Sequence, residues 1–289
     1  MPEKTVCKFI PVLENPAEFV VLTNRYKMKN FETVEVGIDN EVMTIALNRP
    51  GVHNAMNQQM IAELTEIFSR EKHDKTVRCI VLRGNGKSFC AGADLNYMKN
   101  IAGFGYDENR RDGEKLAALF NAVYTSGVPT IALVHGAAFG GANGLLAACD
   151  IVIAAENAKF AFSEVKLGIA PATIAPFVIK RIGEYGAKEL MITGRRFTGL
   201  EAEKWHLVNY ALPAEVLEEK LNSIVDEIKT AAPGAVKAAK QLINKIVNDD
   251  TDVTRYTANL IAELRASAEG QEGMKAFFEK RKPFWVMKK

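Results

Sequence analysis

Over Phe31–Gly37 the chain alternates Val34 and Val36 with Thr33 and Glu35, the period of a half-buried strand. Asp39-Asn40 is a turn signal and Val42–Leu47 reads as a second strand, so residues 31–47 predict a hairpin, ended by Pro50-Gly51. Asn54 or Asn57 can cap a following helix whose apolar face is Ile61, Leu64, Ile67 and Phe68. Val77–Leu82 is almost uninterruptedly apolar, as a strand buried on both faces is, and Asn85-Gly86 breaks it. Residues 106–126 predict a helix with Leu116, Leu119, Phe120 and Val123 on one side. Thr130–Val134 and Ile151–Ala155 are two further buried strands, with an Ala- and Leu-rich helix between them over Gly141–Cys149. Lys159–Phe162 alternates as a short strand.

Strands alternating with helices over residues 31–185 predict an α/β core. After about Pro213 the pattern is helical only. Leu217, Leu221, Ile224, Val225 and Ile228 form one stripe, Pro233 opens a second helix through Leu242 and Ile246, and a third spans about 251–268. Glu272–Lys282 leads into a basic, aromatic tail. The expected organisation is an extension over residues 1–28, a core over 29–213 and a helical region over 214–289.

With 289 residues, 48% of them hydrophobic and 25% charged, the chain has the composition of a soluble globular protein large enough to bury a core without disulfides. A net charge of +2 points to neither nucleic acid nor a membrane surface. No apolar run reaches the ~20 residues that span a bilayer, and the acidic N-terminal stretch resembles neither a secretory signal nor a transit peptide. Cys7, Cys79, Cys90 and Cys149 have no zinc spacing and no C-x-x-C, so they read as reduced thiols in a cytoplasmic setting. The four histidines are scattered, and no metal site is expected.

Two nucleotide motifs fail on spacing. Gly84-Asn-Gly86-Lys87-Ser88 has the tail of a P-loop, but Val81 stands where its first glycine is needed; Gly136–Gly144 is glycine-rich but is not G-x-G-x-x-G. Cys90-Ala-Gly-Ala-Asp94 and Gly136-Ala-Ala-Phe-Gly-Gly141 instead close strand-like runs with small residues and free backbone N–H groups. Such groups can stabilise negative charge on a carbonyl oxygen, and Gly141 opens a helix whose N-terminus favours an anion. Tight turns without a ligand explain these loops equally well on spacing alone.

Asn48-Arg-Pro50 with His53-Asn-Ala-Met56, Ser88–Leu95, His135–Gly141 with Ala148-Cys-Asp150, and Phe162–Gly168 with Pro171 together resemble, in order and spacing, the crotonase (enoyl-CoA hydratase/isomerase) superfamily. Glu272–Lys282 resembles that family's C-terminus, so the likeness covers roughly residues 31–285. It implies a spiral of ββα units with a C-terminal helical region that packs between subunits, as a homotrimer or homohexamer. It also implies an acyl-CoA thioester as substrate, with coenzyme A carried as part of it and no separate cofactor. Transferred residue by residue, the oxyanion N–H groups fall on Ala93 and Gly141. Ala93, Asp94, Leu95 and Asn96 would line the acyl-CoA site, and His53, Ala55 and Ala91 would face the CoA. Lys280, Arg281 and Lys282 could meet its phosphates. Met98, Phe139, Ile174 and Phe177 could shape the acyl pocket.

The sequence departs from the family in its acid–base pair. The first glutamate of two-glutamate hydratases falls on Gly144, which has no side chain; the second matches Glu164. With Ala172-Thr-Ile-Ala-Pro-Phe-Val178 in place of a glycine-rich stretch, the chain is most similar to members identified as methylglutaconyl-CoA hydratases of branched-chain catabolism. A hydratase using Glu164 alone is therefore expected. An enoyl isomerase, which needs one base to move a proton from C2 to C4, is the alternative, followed by a decarboxylase. A non-catalytic acyl-CoA- or RNA-binding member is a third class. For this class Lys229, Lys237, Lys240 and Lys245 would have to form a binding surface rather than a solvated helix face.

Overall fold

A computed structural model describes residues 31–70, 76–248 and 252–286. The expected N-terminal extension, with Cys7, and His73 lie outside them. The elements run β1 (Val34–Asp39), β2 (Val42–Leu47), α1 (Gln58–Arg70), β3 (Cys79–Gly84), α2 (Leu95–Ile101), α3 (Tyr106–Tyr124), β4 (Thr130–Val134), β5 (Ala137–Phe139), α4 (Gly141–Ala148), β6 (Ile151–Ala155) and β7 (Lys159–Ala161). A 3-10 helix over Ser163–Leu167 follows, then α5 (Ala175–Thr193), β8 (Arg196–Thr198), α6 (Gly199–Lys204), β9 (Tyr210–Leu212), α7 (Leu217–Thr230), α8 (Pro233–Asn248), α9 (Val253–Ala266) and α10 (Ala268–Phe278).

Six strands form one sheet in the order β1-β2-β3-β4-β6-β9, antiparallel only between β1 and β2. A smaller sheet has the order β5-β7-β8. The parallel strands β3, β4 and β6 are almost wholly buried, which is why their sequences read as continuous apolar runs. Successive turns of a spiral each give one strand to the large sheet and one extended segment to the small one. Those segments are Cys90 after β3, β5 after β4, and β7 after β6. Cys90 pairs in parallel with Ala138, and β5 pairs in parallel with β7.

The hairpin forms as expected, with its first strand displaced to Val34–Asp39. The Thr33 carbonyl still accepts from Asn48 (2.8 Å), but the Glu32 and Thr33 amides (2.8 and 3.0 Å) and the Thr33 hydroxyl are taken by Glu63, a buried carboxylate on α1. Burial alone would raise the Glu63 carboxyl, but these donors outweigh it and hold it below its ordinary value. Asn40 and Glu41, both at positive φ, make the tight turn. Asn57 is the residue that caps α1, its Oδ1 accepting from the Met60 amide at 2.9 Å. Asn54 is instead fully buried between loops.

β5, β8 and β9, three residues each, are too short to carry a readable period, and α5 lies in a stretch that the hydrophobic pattern leaves without an element. The stripe expected on α7 is buried as Leu217, Leu221, Ile224 and Val225. Lys240 departs from the solvated face expected of the C-terminal lysines. It is buried, and its Nζ reaches Asp150 Oδ2 at 2.7 Å and the Val128 carbonyl at 3.1 Å. The same carboxylate oxygen accepts from the Thr130 amide and hydroxyl, so this ion pair pins α8 to the start of β4. Asp150→Ala leaves the ammonium without its anion, and chemical denaturation is expected to show a loss of about 2–3 kcal/mol at unchanged m. Lys240→Met, which removes the buried charge itself, is expected to lose less.

Candidate active site

Three positions that sequence reasoning singled out follow the three parallel segments at short, similar offsets: Ala93 after Cys90, Gly141 after β5, and Glu164 after β7. The segments are stitched directly to one another. Cys90 donates to the Ala137 carbonyl (2.9 Å) and accepts from the Phe139 amide (3.1 Å), and Gly140 donates to the Ala161 carbonyl (3.0 Å). Burial among apolar neighbours pushes the Cys90 thiol up to about 12, so it serves as a small core residue here.

The Ala93 loop is braced from the other side. Met56 pairs in parallel with Ala93, accepting from the Asp94 amide (2.8 Å) and donating to the Gly92 carbonyl (2.7 Å). The Met56 side chain also reaches Gly141: a Cβ built there would lie 2.7 Å from Met56 Cε. The two loops therefore share one apolar contact. Among the described residues neither the Ala93 nor the Gly141 amide has a protein partner, and Ala93 is exposed. Gly141 is the first residue of α4, so its N–H is one of the amides a helix leaves free and the helix dipole adds positive potential there.

Glu164 stands in the 3-10 helix rather than at a strand end. Its Oε1 lies 3.4 Å from where a Cβ on Gly140 would be. Gly140 has φ of +52° and ψ of −124°, a conformation that side-chain-bearing residues avoid, and this close approach leaves the carboxylate room. Glu164 Oε2 is buried with no hydrogen-bond partner. Burial raises the Glu164 carboxyl above its ordinary value, and only its own backbone amide opposes this.

The position of the absent first glutamate is closed by apolar groups. A Cβ on Gly144 would lie 2.4 Å from Ile174 Cγ2 and 2.7 Å from Phe120 Cζ. Phe120 packs edge-on against Phe177, which also meets Tyr124, so Phe177 belongs to this wall. Sequence reasoning named Ile174 and Phe177 as pocket residues but did not connect Ile174 with Gly144; a bulky residue facing a glycine from thirty positions away leaves no local signal. Phe139 packs under the Arg196 guanidinium, 5.3 Å from its ring centroid.

The other expected contact residues divide. Asp94 is buried, caps α2 by accepting from the Asn96 and Tyr97 amides, and pairs with Arg49 at 2.9 Å. Burial would raise its carboxyl; these donors hold it low. Leu95 is 75% exposed and Asn96 is exposed beside it. Ala55 is buried, its N–H taken by Val52 and its carbonyl by Arg49. His53 is exposed; its carbonyl accepts from Ala91 (2.9 Å) and its Nδ1 faces Ser88 Oγ (3.2 Å). Asn54 ties its own loop to the turn after β3 by donating to the Asn85 and Ser88 carbonyls. Arg281 is engaged by Glu272 and Glu279. Among the described residues no group of three or more His, Cys, Asp or Glu side chains could hold a metal ion, and no helix is long and apolar enough to cross a membrane.

The enoyl-CoA hydratase/isomerase family model matches residues 37–288. A solved chain from Legionella pneumophila superposes with a TM-score of 0.82 at 43% identity, covering 89% of this chain and 100% of that one. Pseudomonas aeruginosa AtuE superposes at 0.85 with 36% identity, over 88% and 100%. The short-chain-enoyl-CoA hydratase of Clostridium acetobutylicum is 33% identical over 251 residues, 84% of this chain and 94% of its own. The chain belongs to the enoyl-CoA hydratase/isomerase family and has the crotonase fold.

Two outcomes follow from this geometry. Gly144→Ala is expected to destabilise the protein by roughly 1–3 kcal/mol through overpacking, and the added Ile174→Ala change to recover part of it in thermal unfolding. For Glu164 the folded carboxyl is raised, so the folded chain holds its proton more tightly than the unfolded chain. Stability is then lost as pH rises from the ordinary carboxylate value through the raised one. Glu164→Gln is expected to flatten that slope and to raise Tm at neutral pH.

Proposed function

We propose that this protein hydrates a 2-enoyl-CoA thioester, with the Ala93 and Gly141 amides holding the thioester oxygen and Glu164 as the one side chain that moves protons. The observation that carries this reading is the unpaired, buried Glu164 carboxylate oxygen beside the Gly140-Gly141 loop. Glu164 takes a proton from water as the hydroxide oxygen bonds to C3. The C2–C3 π electrons move onto the thioester as an enolate, whose oxygen meets the two N–H groups. The protonated Glu164 then returns its proton to C2 on the same face, so one carboxyl group performs both transfers and leaves as it began.

The raised carboxyl favours this shuttle, because a group poised nearer neutrality both accepts and returns a proton readily. The CoA portion is assigned to the surface formed by His53, Ala91, Leu95 and Asn96. Ile174 and Phe120 close the position where a second carboxylate is absent, and this side is assigned to the acyl group. That apolar side suits an acyl chain branched at C3, and 3-methylglutaconyl-CoA is the proposed substrate, its own carboxylate helping to hold the water. The same closed wall supports a second reading, isomerisation of a 3-enoyl-CoA, because Glu164 would then move a proton from C2 to C4 without any water. Exposed Ile243, Val247, Phe277 and Phe278 on the C-terminal helices support assembly as a trimer or hexamer. Buried thiols at Cys79, Cys90 and Cys149 suit a reducing, cytoplasmic setting.

Incubation with crotonyl-CoA and with 3-methylglutaconyl-CoA is expected to bleach the conjugated-thioester absorbance, faster with the latter. Absence of bleaching with both, alongside formation of a 2-enoyl product from a 3-enoyl-CoA, selects the isomerase. Glu164→Gln is expected to lower kcat roughly 10²–10⁴-fold in either case. The wild-type kcat should fall as pH drops through the raised carboxyl value.

A further inference from the structure

Helix α4 is apolar except at Asn143, which is fully buried. The Asn143 backbone amide donates to the Gly140 carbonyl at 2.9 Å. Its side-chain Nδ2 donates to the Ala161 carbonyl at 2.8 Å, the same oxygen that takes the Gly140 amide. One acceptor at the end of β7 is thus gripped twice by the turn that presents Gly141, and Glu164 follows three residues later. The amide orientation is fixed by this bond, because a carbonyl can only accept.

The other half of the amide has no partner. Asn143 Oδ1 is buried without a hydrogen bond, as is Glu164 Oε2. A half-satisfied buried amide is a poor choice for stability, and a residue of the same branching without polar atoms would serve the core better. Its neighbours Ala142, Leu145, Leu146 and Ala147 are of that apolar kind.

We propose that Asn143 is a positioning residue: it locks the Gly141 amide to the segment that carries Glu164, setting the charge-stabilising donor and the proton carrier in one fixed geometry. This rests on the hydratase/isomerase reading of the same site. The Asn143 Nδ2 is committed to the Ala161 carbonyl. It acts through that carbonyl on the Gly141 amide and on Glu164. Removing the Nδ2 donor leaves the Gly140 amide as the one remaining bond from this turn to the Ala161 carbonyl, at the very end of the β5–β7 pairing, and a small displacement of either group lowers turnover without altering the CoA surface.

The test compares the wild type with Asn143→Leu in the full chain. Three quantities are read: Tm, kcat and KM for turnover of the enoyl-CoA, and the enolate absorbance of bound acetoacetyl-CoA, which reports the oxyanion donors without any turnover. The expected variant has an equal or higher Tm, a kcat lower by roughly 10- to 100-fold, KM within about twofold, and a smaller enolate fraction at retained affinity. Wild-type kcat and enolate fraction in the variant would overturn the assignment, as would a kcat loss that merely follows a fall in Tm. Should Leu prevent folding, Asn143→Ala is read by the same kcat-against-KM split. A wild type that binds no acetoacetyl-CoA would remove the reading of the site and this inference with it. A wild type that turns over alongside an equally active variant removes this inference only.

Discussion

Strand β5 is three residues long, yet everything at the site depends on its being paired along both edges. One edge takes Cys90 through reciprocal bonds to Ala137 and Phe139; the other takes β7 in parallel register, extended by the Gly140–Ala161 bond. Without the first edge the Ala93 loop would be held only from its other side, by Met56, His53 and Arg49. Without the second, Gly141 and Glu164 would sit on separate flexible connections. The pairing is backbone to backbone, so it places the groups whatever the neighbouring side chains are, provided the glycines permit the approach.

Side-chain chemistry then acts on a scaffold already fixed. Ile174 and Phe120 close the space above Gly144 and exclude a second carboxylate, while burial beside Gly140 leaves Glu164 unpaired and raised. Burial withholds donors from the Glu164 carboxylate, and an unpaired carboxylate is a stronger base than a solvated one. Its environment, not a charged partner, raises it.

Much of this was legible from the chain. The buried strands at Thr130–Val134 and Ile151–Ala155 coincide with the residues that form them, because strands covered on both faces leave uninterrupted apolar runs. The loops around Ala93 and Gly141 were visible through their small residues, and Gly144 through the absence of a side chain. What stayed hidden depends on distance in sequence. Ile174 against Gly144, Lys240 on Asp150 and Glu63 on Thr33 each join residues at least thirty apart, and no local period encodes them. At Asp94 the motif did not reveal what the side chain does in the fold: its carboxylate caps α2 and pairs with Arg49.

The repeated offset of the three functional groups along the spiral has a consequence for how chemistry can diversify on this fold. Each coil contributes one item, at an address defined by backbone pairing and not by the residue that occupies it. At the fourth residue of α4, a further position on the second coil, glycine stands with Ile174 and Phe120 filling the space a side chain would need. The coils behave as interchangeable sockets. The amides of Ala93 and Gly141, being main-chain, are presented whatever side chain occupies a neighbouring position.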